Sequence, residues 1–312
     1  MRIEYHRTLI ADHVRNAALY AALKALIRPG ETTVADIGAG TGFIGLLAAR
    51  LGAREVYLYE CADVARVAEA VLARNGARNC RLYPCHSTEM RSPPRVDVVV
   101  SETLGNYPLE ENIIATMRDA RRRHLKPGGV LIPRRIAQFV APVVNPRVHT
   151  ELTEWDRVGF GLDLAPARIM SLNNVYVRSL DVGELLDNGR SAVVWDSIDF
   201  AASPSAQRRG EARWSLSRRT VVYGFATWWT AELGPGVAIS TAPDAARTHW
   251  EQLYFPLLEP LAGEAGESIW VRLSSRSSPE AGTHLTWRGA VLDKEGKPKA
   301  QQALDLDKGY LP

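Results

Sequence analysis

Thr33-Val34-Ala35-Asp36-Ile37-Gly38-Ala39-Gly40-Thr41-Gly42 is the stretch from which the fold is read. Five residues suited to a short strand run into a turn carrying three glycines, and residues 43–51 then read as a helix that Gly52 stops. The next strand is Glu55-Val56-Tyr57-Leu58-Tyr59-Glu60. Strand, turn, helix and strand form a βαβ unit, whose crossover is expected to be right-handed. The alternation continues: residues 62–75 read as helix, 80–83 and 96–100 as strands, 110–125 as a helix ending at Lys126-Pro127-Gly128-Gly129, and 130–133 as a strand. The class is α/β, with a doubly wound, mainly parallel sheet.

Upstream, the spacing of Leu19, Leu23, Leu26 and Ile27 predicts a lead-in helix over 12–27, stopped by Pro29-Gly30. Past Pro146 the helical periodicity fades. Alternating segments at 213–216, 220–230, 268–273 and 284–292 predict an antiparallel β-barrel-like domain, and 151–188 reads as an inserted arm. The expected division is an N-terminal helical segment over 1–28, a nucleotide-type domain over 29–140 and a β domain over 141–312, with its arm at about 155–188.

A chain of 312 residues, 46% of them hydrophobic, can bury one large core or two moderate ones. Its 38 Lys and Arg against 35 Asp and Glu leave a net charge of +3, too small an excess to mark a nucleic-acid surface. Three cysteines without metal-ligand spacing fit a reducing compartment and point to neither a disulfide framework nor a metal site. No apolar run approaches the length of a bilayer span and the start lacks a signal-peptide core, so a cytoplasmic, soluble protein without a membrane partner is expected.

The glycine turn lets a ligand approach the backbone and the helix N-terminus behind it. Asp36 precedes the turn, and Glu60 ends the second strand, where a carboxylate can accept both hydroxyls of a ribose. The turn alone also suits a nicotinamide dinucleotide and an oxidoreductase. That reading leaves without a task the acidic loop Ser101-Glu102-Thr103-Leu104-Gly105-Asn106-Tyr107-Pro108-Leu109-Glu110-Glu111, which follows a buried strand. A guanidinium is planar, permanently charged and forked, and two carboxylates can hold it from two sides. Glu102 and Glu111 stand at the two ends of the loop, and Glu110 reads as a bystander at a helix start.

Here the chain resembles the protein arginine methyltransferases, whose paired-glutamate loop reads Ser-Glu-x-x-Gly with a second Glu at the place of Glu111. The Asp-x-Gly-x-Gly-x-Gly turn is similar to that of S-adenosylmethionine-dependent methyltransferases. Thr248-His249-Trp250, continued by Glu251-Gln252-Leu253-Tyr254-Phe255, resembles a further family motif, as does Tyr59-Glu60-Cys61. His6, Leu9, Asp12, Val14, Arg15 and Tyr20 follow the spacing of the family's cofactor-covering segment. Each match alone has a plain structural reading: Asp12 as a helix N-cap, Thr248-His249-Trp250 as packing, Glu110 and Glu111 as acids near a helix start.

The resemblance implies S-adenosylmethionine as cofactor, S-adenosylhomocysteine as product and a homodimer formed through the arm. It implies Arg15, Asp36, Gly38, Gly40, Gly42, Glu60, Ser87, Thr116 and His6 around the cofactor. Glu102, Glu111, Thr103, Asn106 and Trp250 would surround the acceptor, with Glu102, Glu111, His249 and Asp12 in catalysis. Departures fall on the pockets. Only Tyr5 stands near the place of the family's tyrosine helix, Thr103 replaces a bulky aromatic, Leu9 and Ile113 replace methionines, and the usual adenine-contacting acid aligns near Ser87, with Glu89 close by. These departures lean the expected acceptor toward free arginine or a small guanidine, with protein arginine as the alternative. A non-catalytic S-adenosylmethionine-binding regulator is a further reading, which the intact Glu102, Glu111 and His249 oppose.

Overall fold

Strands covered on both faces read as unbroken apolar runs. In the computed structural model, which describes residues 3–278 and 282–310, the strands of the first half build one parallel sheet, whose central members are buried along nearly their whole length. Its strands are β1 (Thr33–Ile37), β2 (Glu55–Tyr59), β3 (Cys80–Tyr83), β4 (Val96–Val100) and β5 (Leu125–Ile132), in the order β3-β2-β1-β4-β5. All four pairings are parallel. Because β2 and β4 flank β1, the chain reverses direction across the sheet there and opens a crevice at the carboxyl end of β1.

Five helices accompany the sheet: α1 (Ile3–Ala11), α2 (His13–Leu26), α3 (Phe43–Arg50), α4 (Ala65–Arg74) and α5 (Ile113–Arg123). The lead-in helix is thus two helices. Asp12 separates them as the N-cap of α2, its Oδ1 accepting the Arg15 N–H at 2.8 Å. The helix expected over 110–125 starts only at Ile113, because Asn112 takes a left-handed conformation and Glu110 turns back to accept the Tyr107 N–H. Lys126-Pro127-Gly128-Gly129 ends no helix. These residues form a bulge inside β5, where Leu125 pairs with Val96 and Val130 pairs with Val98, and an edge strand tolerates the proline.

The second half is antiparallel. β6 (Arg135–Val143), β7 (Tyr176–Arg178), β8 (Val193–Asp199), β10 (Thr220–Gly234) and β12 (Gln252–Gly263) make one sheet, ordered β7-β12-β10-β6-β8, with β11 (Val237–Ser240) on β10. β9 (Gln207–Ser215), β13 (Ser268–Ser278), β14 (Gly282–Leu292) and β15 (Pro298–Asp305) make another, ordered β15-β14-β13-β9. Phe225, Leu257, Val271 and Trp287 from the two sheets share one core. β6 and β12 escaped the sequence reading for one reason: β12 is apolar through Leu253 to Leu258 and carries Pro256 and Pro260, and β6 carries Pro142, so neither shows clean alternation. The domain boundary expected at 140 falls inside β6. The segment expected as an arm holds the end of α6 (Arg147–Leu152), then α7 (Ala165–Leu172) and β7, with Trp155, Val158, Phe160 and Leu162 exposed between the helices. Among the described residues no helix is long and apolar enough to cross a membrane.

The antiparallel half holds the acidic loop in shape. Trp250 Nε1 donates to the Leu104 carbonyl at 2.7 Å, Trp229 Nε1 donates to the Gly105 carbonyl at 3.2 Å, and the Glu251 N–H donates to Asn106 Oδ1 at 2.8 Å. The buried Tyr107 hydroxyl bonds Ser275 on β13. A loop that turns inward from a sheet edge must satisfy its carbonyls somewhere, and here two indoles do so. Trp250→Phe keeps a ring and removes the donor, stranding a carbonyl beside the buried Leu104. It is expected to cost about 1–3 kcal/mol, seen as a lower urea midpoint; an unchanged midpoint would show that the bond contributes nothing.

Candidate active site

The crevice at the sheet edge is walled by the ends of β1, β2, β3 and β4 and roofed by α1 and the start of α2. Gly38 and Gly40 turn the chain at its floor, both with positive φ. A side chain at Gly38 would sit 2.8 Å from the Thr103 methyl, and one at Gly40 would sit 3.1 Å from the His6 ring. Glycine is therefore needed on both counts, for φ and for room. Glu60 braces the turn, Oε2 accepting from Gly40 N at 2.7 Å and Oε1 from Ala62 N at 2.8 Å. A carboxylate accepts about four hydrogen bonds, so capacity remains for a vicinal diol.

Asp36 lies beneath the turn, fully buried, with Oδ2 accepting the Gly45 N–H at 2.8 Å and Oδ1 unpartnered. Burial pushes its carboxyl up to about 7, against the Gly45 hydrogen bond, and the Glu60 charge adds to the rise. It supports the floor and does not line the cavity. Gly42 also stands back, against Ala68 and Leu58.

At the β4 end, Arg15 on α2 donates through Nε to Glu102 Oε2 at 2.5 Å and pairs with the same oxygen through Nη2, both side chains being nearly fully buried. Glu111 faces the cavity with no ion pair or hydrogen bond shown among the described residues. Loss of water around it, then the charges of Glu102 and Glu60, push its carboxyl above the usual range, although its surface is open to the cavity mouth. Such a carboxylate is destabilised until a cation arrives. Thr103 packs over the glycine turn beside it.

Asp12 and His249 form a bracket behind the wall. Asp12 Oδ2 accepts both the His249 backbone N–H at 2.8 Å and Nδ1 at 2.7 Å. Burial holds the imidazole below its ordinary value in spite of the Asp12 hydrogen bond, so the ring is neutral at pH 7 with Nδ1 as donor. Asp12 feels the same burial, but the donors from Arg15 and His249 outweigh it and keep the carboxyl low. His249 Nε2 is buried and unpartnered, and the ring lies against Trp250 and Tyr5.

Of the residues singled out in sequence, Arg15, Gly38, Gly40, Glu60, Ser87, Thr116, His6, Glu102, Glu111 and Thr103 line the cavity. Asn106 and Trp250 do not; Asn106 Oδ1 and Trp250 Nε1 pin the loop instead. Asp12 and His249 stand behind the wall. Glu110, read as a helix-start bystander, lies in the loop and bonds Tyr107. Tyr5 was noticed only for its neighbourhood, yet it lines the cavity with Leu9, one helical turn on, and the Glu111 and Glu102 charges add to the burial that raises its phenol. An α1 separate from α2 was the missing signal. Two atoms of the wall, His6 Nε2 and Ser87 Oγ, are buried without a partner. With the glycine floor and Glu60, these groups fit the adenosyl cofactor that the motifs imply.

A family model described as the arginine methyltransferase oligomerization subdomain matches residues 135–287, and one described as ribosomal protein L11 methyltransferase matches residues 13–147. Protein arginine N-methyltransferase 6 of Xenopus laevis is 30% identical over 281 residues, covering 86% of this chain and 82% of that protein. The arginine N(omega)-methyltransferase of Streptomyces achromogenes subsp. streptozoticus is 29% identical over 277 residues, covering 86% of this chain and 75% of its own length. Among solved structures, the Trypanosoma brucei PRMT1 enzyme-prozyme heterotetrameric complex with AdoHcy shares the fold at a TM-score of 0.84 and 21% identity, covering 98% of each chain.

Asp36 leaves a pH signature. Its native value lies above the ordinary 3.8, so the folded state holds a proton that the unfolded chain has released. That contribution is fully present below the unfolded value and is lost as pH rises through about 7. Asp36→Asn is expected to flatten the decline in melting temperature of the ligand-free protein over this window; an unchanged profile would show that Asp36 ionises without penalty.

Proposed function

The chain belongs to the protein arginine methyltransferase family, and from that premise we propose that it methylates a guanidino nitrogen of arginine side chains in proteins, with S-adenosylmethionine as donor. The observation that carries the reading is the pair Glu102 and Glu111 lining one glycine-floored cavity, the second carboxylate unpaired among the described residues and open to the cavity mouth. When bound, the cofactor supplies an electrophilic methyl group on a sulfonium sulfur. Gly38, Gly40, Glu60, Ser87, Thr116 and His6 would hold its nucleoside part, and Arg15 its carboxylate, while Arg15 also keeps Glu102 in place.

Glu102 and Glu111 clamp the guanidinium from two sides and aim one terminal nitrogen along the cavity toward the glycine turn. Positioning of this kind supplies much of the acceleration when the acceptor is a delocalised, weak nucleophile. The methylated guanidinium remains a cation, so one proton leaves the attacking nitrogen. Glu111, with its raised carboxyl, is a proton acceptor on the cavity wall. Asp12 and His249 act from behind, holding the start of α2, and with it Arg15, against the antiparallel half.

A protein acceptor is supported by the Xenopus relative and by a cavity mouth that opens to the surface beside Tyr5, Ile10 and Glu111. Free arginine, toward which the sequence departures lean, is supported by the Streptomyces relative at 29% identity. Incubation with labelled cofactor and, separately, arginine-rich peptides and free arginine decides between them: label on peptide at lower concentration supports the protein reading, and label on free arginine alone overturns it. Glu111→Gln is expected to lower kcat/KM by about 100-fold or more while leaving S-adenosylhomocysteine binding intact. Activity within a fewfold of wild type would remove the clamp.

We further propose a homodimer joined through the arm, in a reducing compartment such as the cytoplasm. Phe160 is 93% exposed and Leu162 62% exposed, with Trp155 and Val158 beside them in sequence, and the matched family model is described as an oligomerization subdomain. Light scattering should give twice the chain mass for wild type and a single chain mass for a Phe160→Asp, Leu162→Asp double variant; a monomeric wild type at micromolar concentration would sink the reading.

A further inference from the structure

The far end of the cavity carries hydroxyl groups where a carboxylate would be the natural reader of an adenine amino group. Along the sheet edge the order is Glu102 after β4, the glycine turn after β1, Glu60 after β2 and Cys85-His86-Ser87 after β3. A nucleoside whose ribose meets Glu60 therefore places its base at the β3 end. The acids lining the cavity are Glu60, Glu102 and Glu111, and none of them belongs to that end. Glu89 is close in sequence but its Oε2 is turned onto the His86 N–H in a capping box, and it does not line the cavity. The hydroxyl-bearing side chains at this end are Ser87, 2% exposed, Thr116, 6% exposed, and Tyr59, whose ring stacks on Tyr83 of β3 and whose hydroxyl is likewise buried without a partner.

Ser87 Oγ is buried without any hydrogen-bond partner. Its position is held from behind. The Ser87 carbonyl accepts from Arg123 Nη2 at 2.9 Å and lies 3.2 Å from His124 Nε2, and Arg123 is itself fixed by Asp119 and by the Met90 carbonyl. Burial keeps the His124 imidazole below its ordinary value, which leaves it neutral, with Nε2 as the donor to Ser87. A buried hydroxyl that is held but unsatisfied has a cost unless something completes it.

We propose that Ser87 reads the edge of the purine, and that this end of the site accepts a 6-oxopurine as readily as adenine. The inference rests on the cofactor reading above. A carboxylate only accepts, so it favours the amino group of adenine and repels a 6-oxo group. A serine hydroxyl accepts from the one and donates to the other. Thr116 has the same dual capacity.

Calorimetric titration of S-adenosylhomocysteine and of S-inosylhomocysteine, against wild type, Ser87→Ala and Ser87→Asp, tests this without turnover. Wild type is expected to bind the two with Kd values within about tenfold. Ser87→Ala should weaken both by roughly fivefold, and Ser87→Asp should widen the gap in favour of the adenosyl compound by about tenfold or more. A wild-type preference for the adenosyl compound above tenfold overturns the proposal, as does an Ser87→Ala variant that binds both as wild type does. The wild-type ratio decides the matter even if a variant fails to fold. Absence of S-adenosylhomocysteine binding to wild type would instead remove the cofactor reading itself.

Discussion

Two indole N–H groups satisfy two carbonyls, and the site depends on it. The loop from Ser101 to Glu111 leaves a buried strand and returns to a helix whose first residue, Ile113, is fully buried. Its backbone bonds itself between the Glu110 N–H and the Tyr107 carbonyl at 3.2 Å, which leaves the Leu104 and Gly105 carbonyls to be satisfied from outside the loop. Trp250 and Trp229 reach from the antiparallel half to the Leu104 and Gly105 carbonyls, and their own rings pack edge to face at 5.0 Å. The aromatic pair thus fills the core between the halves and fixes where Glu102 and Glu111 stand. The shape of a loop in the first half is set by packing in the second.

Electrostatics at the edge are unbalanced by design of the pocket. Asp36, Glu60, Glu102 and Glu111 gather around one crevice, and Arg15 is the cation that meets them there. Arg15 is committed to Glu102, while Glu111 and Asp36 are both pushed toward protonation by burial and by their acidic neighbours. A cationic guest relieves this repulsion and a neutral one does not. That distinction favours a positively charged guest, in keeping with the guanidinium proposed above.

Much of this was legible in the chain itself. The glycine turn, β1, β3 and β4 read correctly because β1 and β4 are short, mostly apolar and buried almost throughout, and the edge strand β3 is set off by flanking turn residues. Glu60, Glu102, Glu111 and Arg15, singled out in the chain, all line the cavity. Less visible were β6 and β12, where prolines and continuous apolar residues hid the period of two. The Pro-Gly-Gly after α5 looked like a helix stop and is a bulge, because a local signal says that the path turns and not which element owns the turn.

Sequence alone determined the parallel sheet with its glycine turn, and it singled out the two glutamates that line the cavity, since both follow from residue type and spacing within a few residues. Tertiary structure decided what each remaining side chain does. Asn106 and Trp250 left the acceptor pocket to pin the loop, Asp12 and His249 became a bracket behind the wall, Glu89 turned away, and Tyr5 and the unsatisfied Ser87 hydroxyl came to line the cavity. These assignments depend on partners more than a hundred residues away or on the direction of a side chain. Neither is written in local spacing, and both are set by the requirement that buried polar atoms find partners across the fold.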